Sequence, residues 1–552
     1  MKTVIVGGVA GGASAAARLR RLSEDMEIIL FERGEFISFA NCGLPYYIGG
    51  DITDSEDLTL QTPDSMKARF NIDVRVLQEV IRIDTAAKLV EVRRLGNGET
   101  YQESYDKLIL SPGARPSVPP IAGVDAPNVF TLRTIPDTLK IKAYIEENNC
   151  KTAVIIGGGF IGLEMAENLK RAGLCVTVIE ALPQIATVLD EDLACDLTHY
   201  LRSKELSIYT STSVSDLSEL DGDIIILSVG VKPESDLAAA AGLTLSDRGA
   251  IIVDSHMRTS DEHIYAVGDA ILIRNFVSGA EGYIPLAGPA NKQGRIAADN
   301  VAGIPSRYKG TQGTSILKLF DLTAAATGLN ERALTGSGIS YDKIFIWSSS
   351  NAVYYPGAGN MSIKVLFELT GGKILGAQIV GFKGVDKRID VLAAAIRAGM
   401  TAMDLTELEL AYAPPFSSAK DPVNMAGYMI ENLLTDKIKQ HHWHDVKNLT
   451  DRKDITLLDV RTDAEYANGH IENTVCIPLD ALRERIQELD LLKPVYVNCQ
   501  SGLRSYIACR ILKQKGFDCS NLAGGYRLYA SMKKNAEFVN ELTHPCGLKA
   551  EK

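Results

Sequence analysis

Residues 4–12 read VIVGGVAGG, an apolar run that ends in closely spaced glycines. A helical stretch over 13–22 follows, and a second apolar run, EIILFE, ends on Glu32. Strand, glycine turn, helix, strand and terminal acid is the order of a dinucleotide-binding unit, whose turn lets the backbone approach a pyrophosphate at the helix N-terminus. Glu32 lies where an acid can bond a ribose hydroxyl. Val9 replaces the middle glycine of the G-x-G-x-x-G fingerprint, so this match is incomplete.

A second unit begins at residues 154–162, which read VIIGGGFIG and satisfy the fingerprint in full. A helix to Ala172 and the run VTVIE follow, and the run ends on Glu180. A carboxylate there repels a 2′-phosphate, so NADH is favoured, with NADPH possible. The candidate nucleotide-binding residues are Gly7, Gly8, Val9, Ala10, Gly11, Gly12 and Glu32 in the first unit, and Gly157, Gly158, Gly159, Phe160, Ile161, Gly162 and Glu180 in the second.

The bulk composition limits the class of protein. A length of 552 residues predicts three or four domains, and 46% hydrophobic residues supply ample cores. The net charge of −11 argues against nucleic acid as a partner. Nine scattered cysteines do not indicate a disulfide framework, and the reducing cytoplasm is the expected compartment. We expect no signal peptide and no membrane span, since no apolar run reaches about 18 residues.

Three further segments carry a family resemblance. Residues 259–269 (TSDEHIYAVGD) resemble the second FAD motif of the flavoprotein disulfide reductases with two dinucleotide domains, and residues 108–113 (LILSPG) and 228–230 (SVG) resemble their crossover strands. One departure is the short stretch from Val214 to the strand over 223–227, where the usual hairpin insertion looks truncated. The resemblance implies that Asp269 binds the ribityl chain of FAD. The further cofactor-binding residues that it implies are Arg33, Asn41, Val80, Ser111, Pro112, Gly113, Arg133, Gly268, Ala287 and Gly230.

Cys42 is the candidate redox residue, in the segment SFANCGLPYY over 38–47. The next cysteine is Cys150, so Cys42 has no nearby partner and must react with a sulfur that the substrate brings. Pro45 suits the first turn of a helix, whose dipole would favour the reactive thiolate. Two alternatives remain open: a buried inert cysteine, or a sulfenic acid that reduces oxygen or peroxide.

The Cys42 segment resembles the single-cysteine branch of that family, the coenzyme A-disulfide reductases and their persulfide-reductase relatives. Residues 354–357 (YYPG) and 412–422 (YAPPFSSAKDP) match signatures of the family's dimerisation domain, which implies a homodimer. The resemblance implies that Tyr354 and Tyr412 approach the cysteine of the other subunit, where a phenol can protonate a leaving thiolate. Packing at the dimer interface is the alternative.

Coenzyme A carries phosphates, so its site needs cations. The family resemblance implies that Arg18, Arg21, Ser38 and Asn41 line the coenzyme A path, although some relatives have an uncharged residue in place of Arg18. Lys67 is a further phosphate-binding candidate. The alternative for each cation is a solvated surface side chain.

The C-terminal region changes character near residues 441–445 (HHWHD), which lack metal-ligand spacing and suit a linker. Beyond them, LLDVR over 457–461 and VYVNCQSGLRS over 495–505 resemble a rhodanese domain. The family implies that Cys499 carries sulfane sulfur as a persulfide, which a nest of amide groups and Arg504 would stabilise. A phosphatase-like C-x5-R loop is one rival, but this loop is C-x4-R. A module that only binds a sulfur-carrier partner is another.

These observations predict an α/β protein with two Rossmann-like FAD and NAD(P) domains, an α+β dimerisation domain and an α/β rhodanese domain. The expected FAD domain covers 1–150 and 235–310, the NAD domain 151–234, the dimerisation domain 311–440 and the rhodanese domain 450–545. The predicted activity is NADH-dependent reduction of coenzyme A persulfide, polysulfide or coenzyme A disulfide through Cys42, with sulfane sulfur handled at Cys499. The alternative is an NADH oxidase or peroxidase with a separate sulfurtransferase or binding module.

Overall fold

The computed structural model describes residues 1–541 and divides into two compact units. The first unit contains Met1–Pro183 and Leu206–Gly313. The second contains Gln184–Glu205 and the described residues from Thr314 onward. No helix in the described part of the chain is both long and apolar enough to cross a membrane.

The first unit opens with the elements that surround the first glycine turn. Its strands are β1 (Lys2–Val6), β2 (Glu27–Glu32), β3 (Asp73–Val76), β4 (Gln78–Asp84), β5 (Leu89–Arg94), β6 (Thr100–Ser104), β7 (Lys107–Leu110), β8 (Ala114–Pro116) and β9 (Val129–Phe130), and its helices are α1 (Ala10–Leu22), α2 (Leu44–Gly49), α3 (Pro63–Phe70) and α4 (Ile135–Glu147). The helix predicted from Ala13 begins three residues earlier, directly after the turn. The strand predicted to end on Glu32 is confirmed.

The second glycine turn has the same surroundings. Strands β10 (Thr152–Ile156), β11 (Cys175–Ile179), β12 (Ser207–Tyr209) and β13 (Ile224–Leu227) accompany helices α5 (Phe160–Arg171) and α6 (Glu191–Ser203), of which α6 belongs to the second unit. The remaining elements of the first unit are β14 (Val231–Pro233), α7 (Asp236–Ala240), β15 (Ile264–Ala266), β16 (Ile273–Arg274), β17 (Glu281–Gly282) and α8 (Ala287–Val301).

Two parallel sheets organise the first unit. One has the strand order β15-β7-β1-β2-β3, and the other has the order β12-β11-β10-β13-β9. The central strands β1 and β10 end in apolar runs, VIV and AVII, and are flanked by strands on both sides, as buried parallel strands usually are. Both glycine turns follow these central strands, so each turn lies at the carboxyl edge of its sheet, where nucleotide sites form. The antiparallel pair β8–β14 directly follows the two segments, 108–113 and 228–230, that the family resemblance identified between the two nucleotide domains.

The second unit contains an antiparallel sheet and a parallel sheet. The first is built from β18 (Ser315–Leu319), β19 (Leu322–Gly328), β20 (Tyr341–Ser349), β21 (Asn360–Glu368) and β22 (Ile374–Gly381) in the order β18-β19-β22-β21-β20, with helices α9 (Glu331–Ser337), α10 (Val385–Ala398), α11 (Ala402–Glu407) and α12 (Pro422–Leu434). The second is built from β23 (Lys439–His441), β24 (Thr456–Asp459), β25 (Val475–Cys476), β26 (Val495–Asn498) and β27 (Cys519–Leu522) in the order β23-β27-β26-β24-β25.

The helices around the parallel sheet are α13 (Val446–Leu449), α14 (Asp463–Ala467), α15 (Leu482–Arg485), α16 (Leu503–Gln514) and α17 (Gly525–Glu541). His441 ends the edge strand β23, and its ring is buried against Tyr496. The linker expected around 441–445 is therefore wrong at its first residue. The reason is that Lys439–His441 extends the sheet by pairing with β27.

A buried ionic cluster joins α6 to the antiparallel sheet of the second unit. The Lys364 ammonium on β21 is fully buried and lies 2.8 Å from Asp192 Oδ2, 3.0 Å from Asp190 Oδ2 and 2.5 Å from Glu331 Oε1. Residues 184–205 thus belong to the second unit, although the residues before and after them in sequence belong to the first.

Candidate functional site

The first glycine turn is tight enough to exclude side chains. Gly7 has φ +96°, and a Cβ at Gly12 would lie 1.9 Å from the Gly7 carbonyl oxygen. The Gly8 amide donates to Glu32 Oε2 at 2.8 Å, and the Gly34 amide donates to Oε1 at 2.8 Å. The acid that ends β2 is thereby fixed beside the turn. The backbone at this turn fits a pyrophosphate, because Gly7 and Gly8, two of the three residues between β1 and α1, have no side chain.

The second turn repeats this arrangement closely. Gly157 has φ +107°, and a Cβ at Gly162 would lie 2.0 Å from the Gly157 carbonyl oxygen. The Gly158 amide donates to Glu180 Oε2 at 2.7 Å. A Cβ at Gly159 would meet no protein atom within 4 Å, so the middle glycine faces open space where a pyrophosphate can approach. Both turns therefore fit a dinucleotide.

The remaining predicted FAD residues lie at several points of the first unit. Arg133 Nη2 lies 3.4 Å from Asp269 Oδ2, and Arg33 Nη2 lies 3.0 Å from Glu234 Oε1. Asn41 Oδ1 is buried and accepts no hydrogen bond from the described residues, so a ligand donor would satisfy it. Ser111, Pro112 and Gly113 connect β7 to β8, Val80 is buried on β4, Gly268 precedes Asp269, Ala287 begins α8, and Gly230 follows β13.

Cys42 lies in a 3-10 turn over Asn41–Gly43 that leads directly into α2. Pro45 is in the first turn of α2, as predicted, and the thiol is exposed at the surface. Protein groups nevertheless crowd it, and this partial desolvation, followed by the charges of Glu164 and Asp269, raises the pKa of Cys42, whereas Arg133 lowers it. Desolvation and these acids therefore oppose the effect that the helix dipole of α2 was predicted to have on the Cys42 thiol.

Glu164 is a residue near Cys42 that the sequence analysis missed. It lies on α5 two positions after Gly162, and the Tyr46 hydroxyl donates to its Oε1 at 3.4 Å. Burial raises the pKa of Glu164 to about 7, with a further contribution from Glu167. No local signal marked Glu164, because it approaches the Cys42 segment only when α5 packs against α2. Glu164 can hold or release a proton near neutral pH.

The predicted coenzyme A residues divide into paired and exposed side chains. Arg18 Nε bonds Asp299 Oδ1 of α8 at 2.7 Å, so its guanidinium is already engaged. Lys67 Nζ bonds Asn71 Oδ1 at 2.7 Å at the end of α3. Arg21 is exposed on the last turn of α1. Ser38 has φ +43° and its amide donates to the Gly8 carbonyl at 2.8 Å, which ties the Cys42 segment to the first glycine turn.

The two predicted tyrosines meet in the second unit. Tyr354 Oη and Tyr412 Oη lie 3.2 Å apart, although 58 positions separate the residues. Tyr354 is 74% exposed, and the neighbouring apolar side chains Val353 and Phe416 are 78% and 70% exposed. A surface patch with this much exposed apolar area is typical of a protein interface.

Cys499 directly follows β26 and begins a loop that leads into α16. We call Cys499–Ser505 the Cys499 loop. The thiol is 1% exposed, and its Sγ accepts hydrogen bonds from the Gly502 amide at 3.1 Å and from Ser505 Oγ at 3.2 Å. Donors converge on the sulfur, as the nest predicted from sequence requires. Such a site stabilises a sulfur anion.

Arg504 does not contact this sulfur. Its guanidinium forms a bidentate pair with Glu465 of α14, at 2.8 and 2.6 Å. This pairing raises the pKa of Arg504 and lowers that of Glu465 to about 2. The expected direct support of Cys499 by Arg504 therefore needs correction, because a planar carboxylate engages both arms of the fork. The arginine acts on Cys499 only through its charge.

Comparisons with known proteins agree with this geometry. Residues 1–294 match the model of the pyridine nucleotide-disulphide oxidoreductases, 314–422 match their dimerisation domain, and 442–532 match the rhodanese-like domain. A coenzyme A disulfide reductase of Staphylococcus haemolyticus is 37% identical over 78% of this chain and 100% of its own length.

Two solved structures extend the similarity to the C-terminal region. Reduced CoADR-RHD of Bacillus anthracis has a TM-score of 0.95 and 48% identity, covering 97% of this chain and 98% of that one. An NAD-dependent persulfide reductase from A. fulgidus has a TM-score of 0.89 and 38% identity, covering 96% of this chain and 100% of that one. The fold class predicted from sequence is confirmed.

Proposed function

The chain belongs to the pyridine nucleotide-disulphide oxidoreductase family, and on that premise we propose that it uses NADH to reduce sulfur–sulfur bonds of coenzyme A persulfide or coenzyme A disulfide at Cys42. The observation that carries this proposal is the exposed Cys42 thiol, which belongs to the same unit as both glycine turns and is free of any disulfide. A single thiol in that setting requires a substrate that supplies the second sulfur.

The turn residues Gly7–Gly12 would hold the pyrophosphate of FAD, with Glu32 fixed for a ribose, and the second turn, Gly157–Gly162 with Glu180, would hold NADH. FAD bound there would supply the redox chemistry that carries two electrons from NADH to the sulfur at Cys42. Asn41 offers a buried acceptor next to the reacting cysteine.

The chain's own sulfur performs the first bond exchange. Deprotonated Cys42 attacks one sulfur of a disulfide RS–SR, so that a Cys42–SR bond forms and RS⁻ leaves with the electron pair. With a persulfide RS–SH, Cys42 takes the outer sulfur, and RSH leaves. The raised pKa of Cys42 means that attack speeds up as pH rises toward that pKa. The charge of Arg133 lowers the pKa of Cys42 and so opposes the effects of desolvation, Glu164 and Asp269.

A homodimer forms part of this proposal. The exposed patch around Tyr354 and Phe416 supports it, together with the match to the dimerisation domain. In the dimer we place the Tyr354–Tyr412 pair of one subunit near Cys42 of the other, where a phenol protonates the leaving thiolate. A cytoplasmic setting suits this chemistry, because the described cysteines are all free thiols.

The rhodanese-like region adds sulfur transfer at Cys499. The two donors aimed at its Sγ would hold the terminal anion of a persulfide. We infer that this module handles sulfane sulfur, and the presence of both modules in one chain favours persulfide or polysulfide as the physiological substrate over a simple disulfide. Tethering raises the effective concentration for exchange between the two modules.

Anaerobic NADH oxidation tests the proposal directly. Coenzyme A persulfide and coenzyme A disulfide are compared in parallel, and oxygen alone is the third condition. A higher kcat/KM with release of sulfide from the persulfide supports persulfide reduction, and equal or faster turnover of the disulfide supports a coenzyme A redox enzyme. Fast turnover with oxygen alone, through a Cys42 sulfenic acid, contradicts both and supports the oxidase alternative.

A further inference from the structure

The indole of Trp347 contacts the wall of the rhodanese site from another sheet. Trp347 lies on β20 of the antiparallel sheet, and its Nε1 donates to the Gly524 carbonyl at 3.0 Å. The Arg527 guanidinium stacks over the same indole, with its central carbon 3.8 Å from the ring centroid. One side chain thus holds both the turn before α17 and the first turn of that helix. The stack adds a cation–π attraction to the hydrogen bond.

The segment that Trp347 holds is bonded to the Cys499 loop. The Tyr526 amide donates to the Cys499 carbonyl at 2.8 Å, and the Arg527 amide donates to the Gln500 carbonyl at 3.1 Å. Gly525 has φ +65°, and a Cβ there would lie 2.6 Å from the Cys499 carbonyl oxygen. The turn and the Cys499 loop are therefore in direct backbone contact, so a shift of the turn must also shift the loop.

We propose that Trp347, with Arg527, is a positioning residue for sulfur transfer at Cys499, and that a strand of the dimerisation domain thereby sets the geometry of the rhodanese site. The inference rests on the proposed sulfur transfer. Its physical basis is that the Gly502 amide and Ser505 hydroxyl reach Sγ only while the loop carbonyls are held by Tyr526 and Arg527.

The same strand leads toward the tyrosine pair. After Ser349, β20 runs into the loop over 350–359, which carries Tyr354. The Ser350 amide bonds the Gly359 carbonyl at 2.7 Å, and the Ala352 amide bonds the Ser417 carbonyl at 3.1 Å, so this loop is anchored to the segment that bears Tyr412. Trp347 therefore contacts the segment that holds the Cys499 loop and lies on the strand that leads to Tyr354.

The chemistry that reports on this position is the first half of sulfur transfer. The Cys499 thiolate attacks the outer sulfur of thiosulfate, a bond forms between Sγ and that sulfur, the sulfur–sulfur bond of thiosulfate breaks, and sulfite leaves with the electron pair. Charge is conserved, because the new persulfide carries the negative charge that the thiolate had. An acceptor thiolate or cyanide then removes the outer sulfur and restores Cys499.

The test uses the full-length holoenzyme with thiosulfate and cyanide. Trp347→Phe keeps the ring but removes the N–H donor, and we expect kcat to fall about tenfold while KM changes little, since the donors to sulfur lose alignment. Arg527→Ala should lower kcat in the same direction. Trp443→Phe is the matched control, because the Trp443 ring packs on His444 and not on the Cys499 loop. It should leave kcat within about twofold of the parent, as surface substitutions usually do.

Fluorescence supplies a second readout. The sequence has two tryptophans, so Trp443→Phe leaves Trp347 as the single reporter. Thiosulfate should change its emission when Cys499 becomes a persulfide, and the change should disappear in the Cys499→Ser double variant. If Trp347→Phe does not fold, this fluorescence measurement tests the positioning role in its place. Trp347 emission that is the same with and without sulfur on Cys499 would then overturn the proposal.

Failure of sulfur transfer at Cys499 and failure of the positioning role of Trp347 give different results. If mass spectrometry finds no persulfide on Cys499 of the parent, the proposed sulfur transfer fails. If the parent transfers sulfur normally and both Trp347→Phe and Arg527→Ala keep its kcat, the positioning role fails alone. A selective loss of kcat with unchanged FAD content supports it.

Discussion

The two candidate sulfur sites place their cysteines in opposite surroundings. Cys42 is exposed in a short turn where crowding and two carboxylates raise its pKa, whereas Cys499 is buried with two donors directed at its sulfur. The first suits a thiol that meets a large substrate and needs redox chemistry from elsewhere. The second suits a sulfur that must be stored as an anion. The difference shows that reactivity of a cysteine follows its surroundings and not its exposure alone.

The sites also differ in how the chain builds them. The Cys499 site is made from one loop and the turn that follows β27. The Cys42 site collects Glu164 and Asp269 from distant parts of the sequence. We therefore expect Cys499 chemistry to respond to substitutions in this loop, in the turn and at Trp347, which holds the turn, and Cys42 chemistry to respond to charges on other elements.

The largest expected effect is the separation of the two activities at Cys42. Cys42→Ser should lower NADH-dependent reduction of coenzyme A persulfide and disulfide by roughly 10⁴-fold or more, because the nucleophile is lost. FAD content and thiosulfate sulfurtransferase activity should be retained. Cys175→Ser, another exposed thiol of the same unit, is the control. Persulfide turnover that survives in Cys42→Ser rules out the assignment.

The converse substitution should separate the activities in the other direction. Cys499→Ser should lower thiosulfate sulfurtransferase activity by roughly 10³-fold or more and spare the reduction of small coenzyme A persulfides, because only the storage site is lost. Cys476→Ser tests a partly buried thiol of the same domain in parallel. Thiosulfate sulfurtransferase activity that survives in Cys499→Ser would contradict the assignment of sulfur transfer to Cys499.

A smaller effect tests whether the donors matter at Cys499. Ser505→Ala removes one hydrogen bond to a sulfur anion, and kcat for thiosulfate should fall about tenfold. Ser520→Ala, whose hydroxyl bonds the His441 ring instead, is the matched control and should have no comparable effect. Equal rates for the two variants would mean that the loop amide suffices.

The smallest effect concerns the charges around Cys42. Glu164 raises the pKa of Cys42, so Glu164→Gln should lower that pKa and speed alkylation of Cys42 about threefold at pH 8. The pKa of Glu164 itself is about 7, so the carboxylate is neutral at lower pH and the advantage should vanish as pH falls below that value. Rates of iodoacetamide labelling against pH measure both points.

The control for this pH profile is Asp51→Asn, a carboxylate of the same unit that is paired with Arg171. It is not among the charges that shift Cys42. An advantage of Glu164→Gln that persists unchanged at pH 5 would contradict the electrostatic explanation.

The local parts of both sites could be predicted from the sequence, and the distant pairings could not. Glycine turns and the Cys499 loop are set by neighbouring residues, so their spacing is visible in the sequence. Glu465 lies 39 positions before Arg504, and Asp299 lies 281 positions after Arg18. Nothing in either stretch marks these partners, because they meet only when separate elements pack. The same reason explains why Glu164, one of the two acids that raise the pKa of Cys42, was missed.

The placement of α6 has a consequence for the order in which the molecule can fold. The carboxylate of Asp192 cannot form its ion pair until the ribosome has synthesised Lys364, 172 positions later in the chain. Until β19 and β22 exist, α6, whose buried residues include Leu193, Leu197 and Leu201, has no sheet to pack against. Contacts between residues this far apart in sequence slow folding. They also leave an intermediate with exposed apolar surface, which is prone to aggregate, while the chain is still on the ribosome. A fragment that stops at residue 313 should therefore aggregate even though its own two sheets are complete.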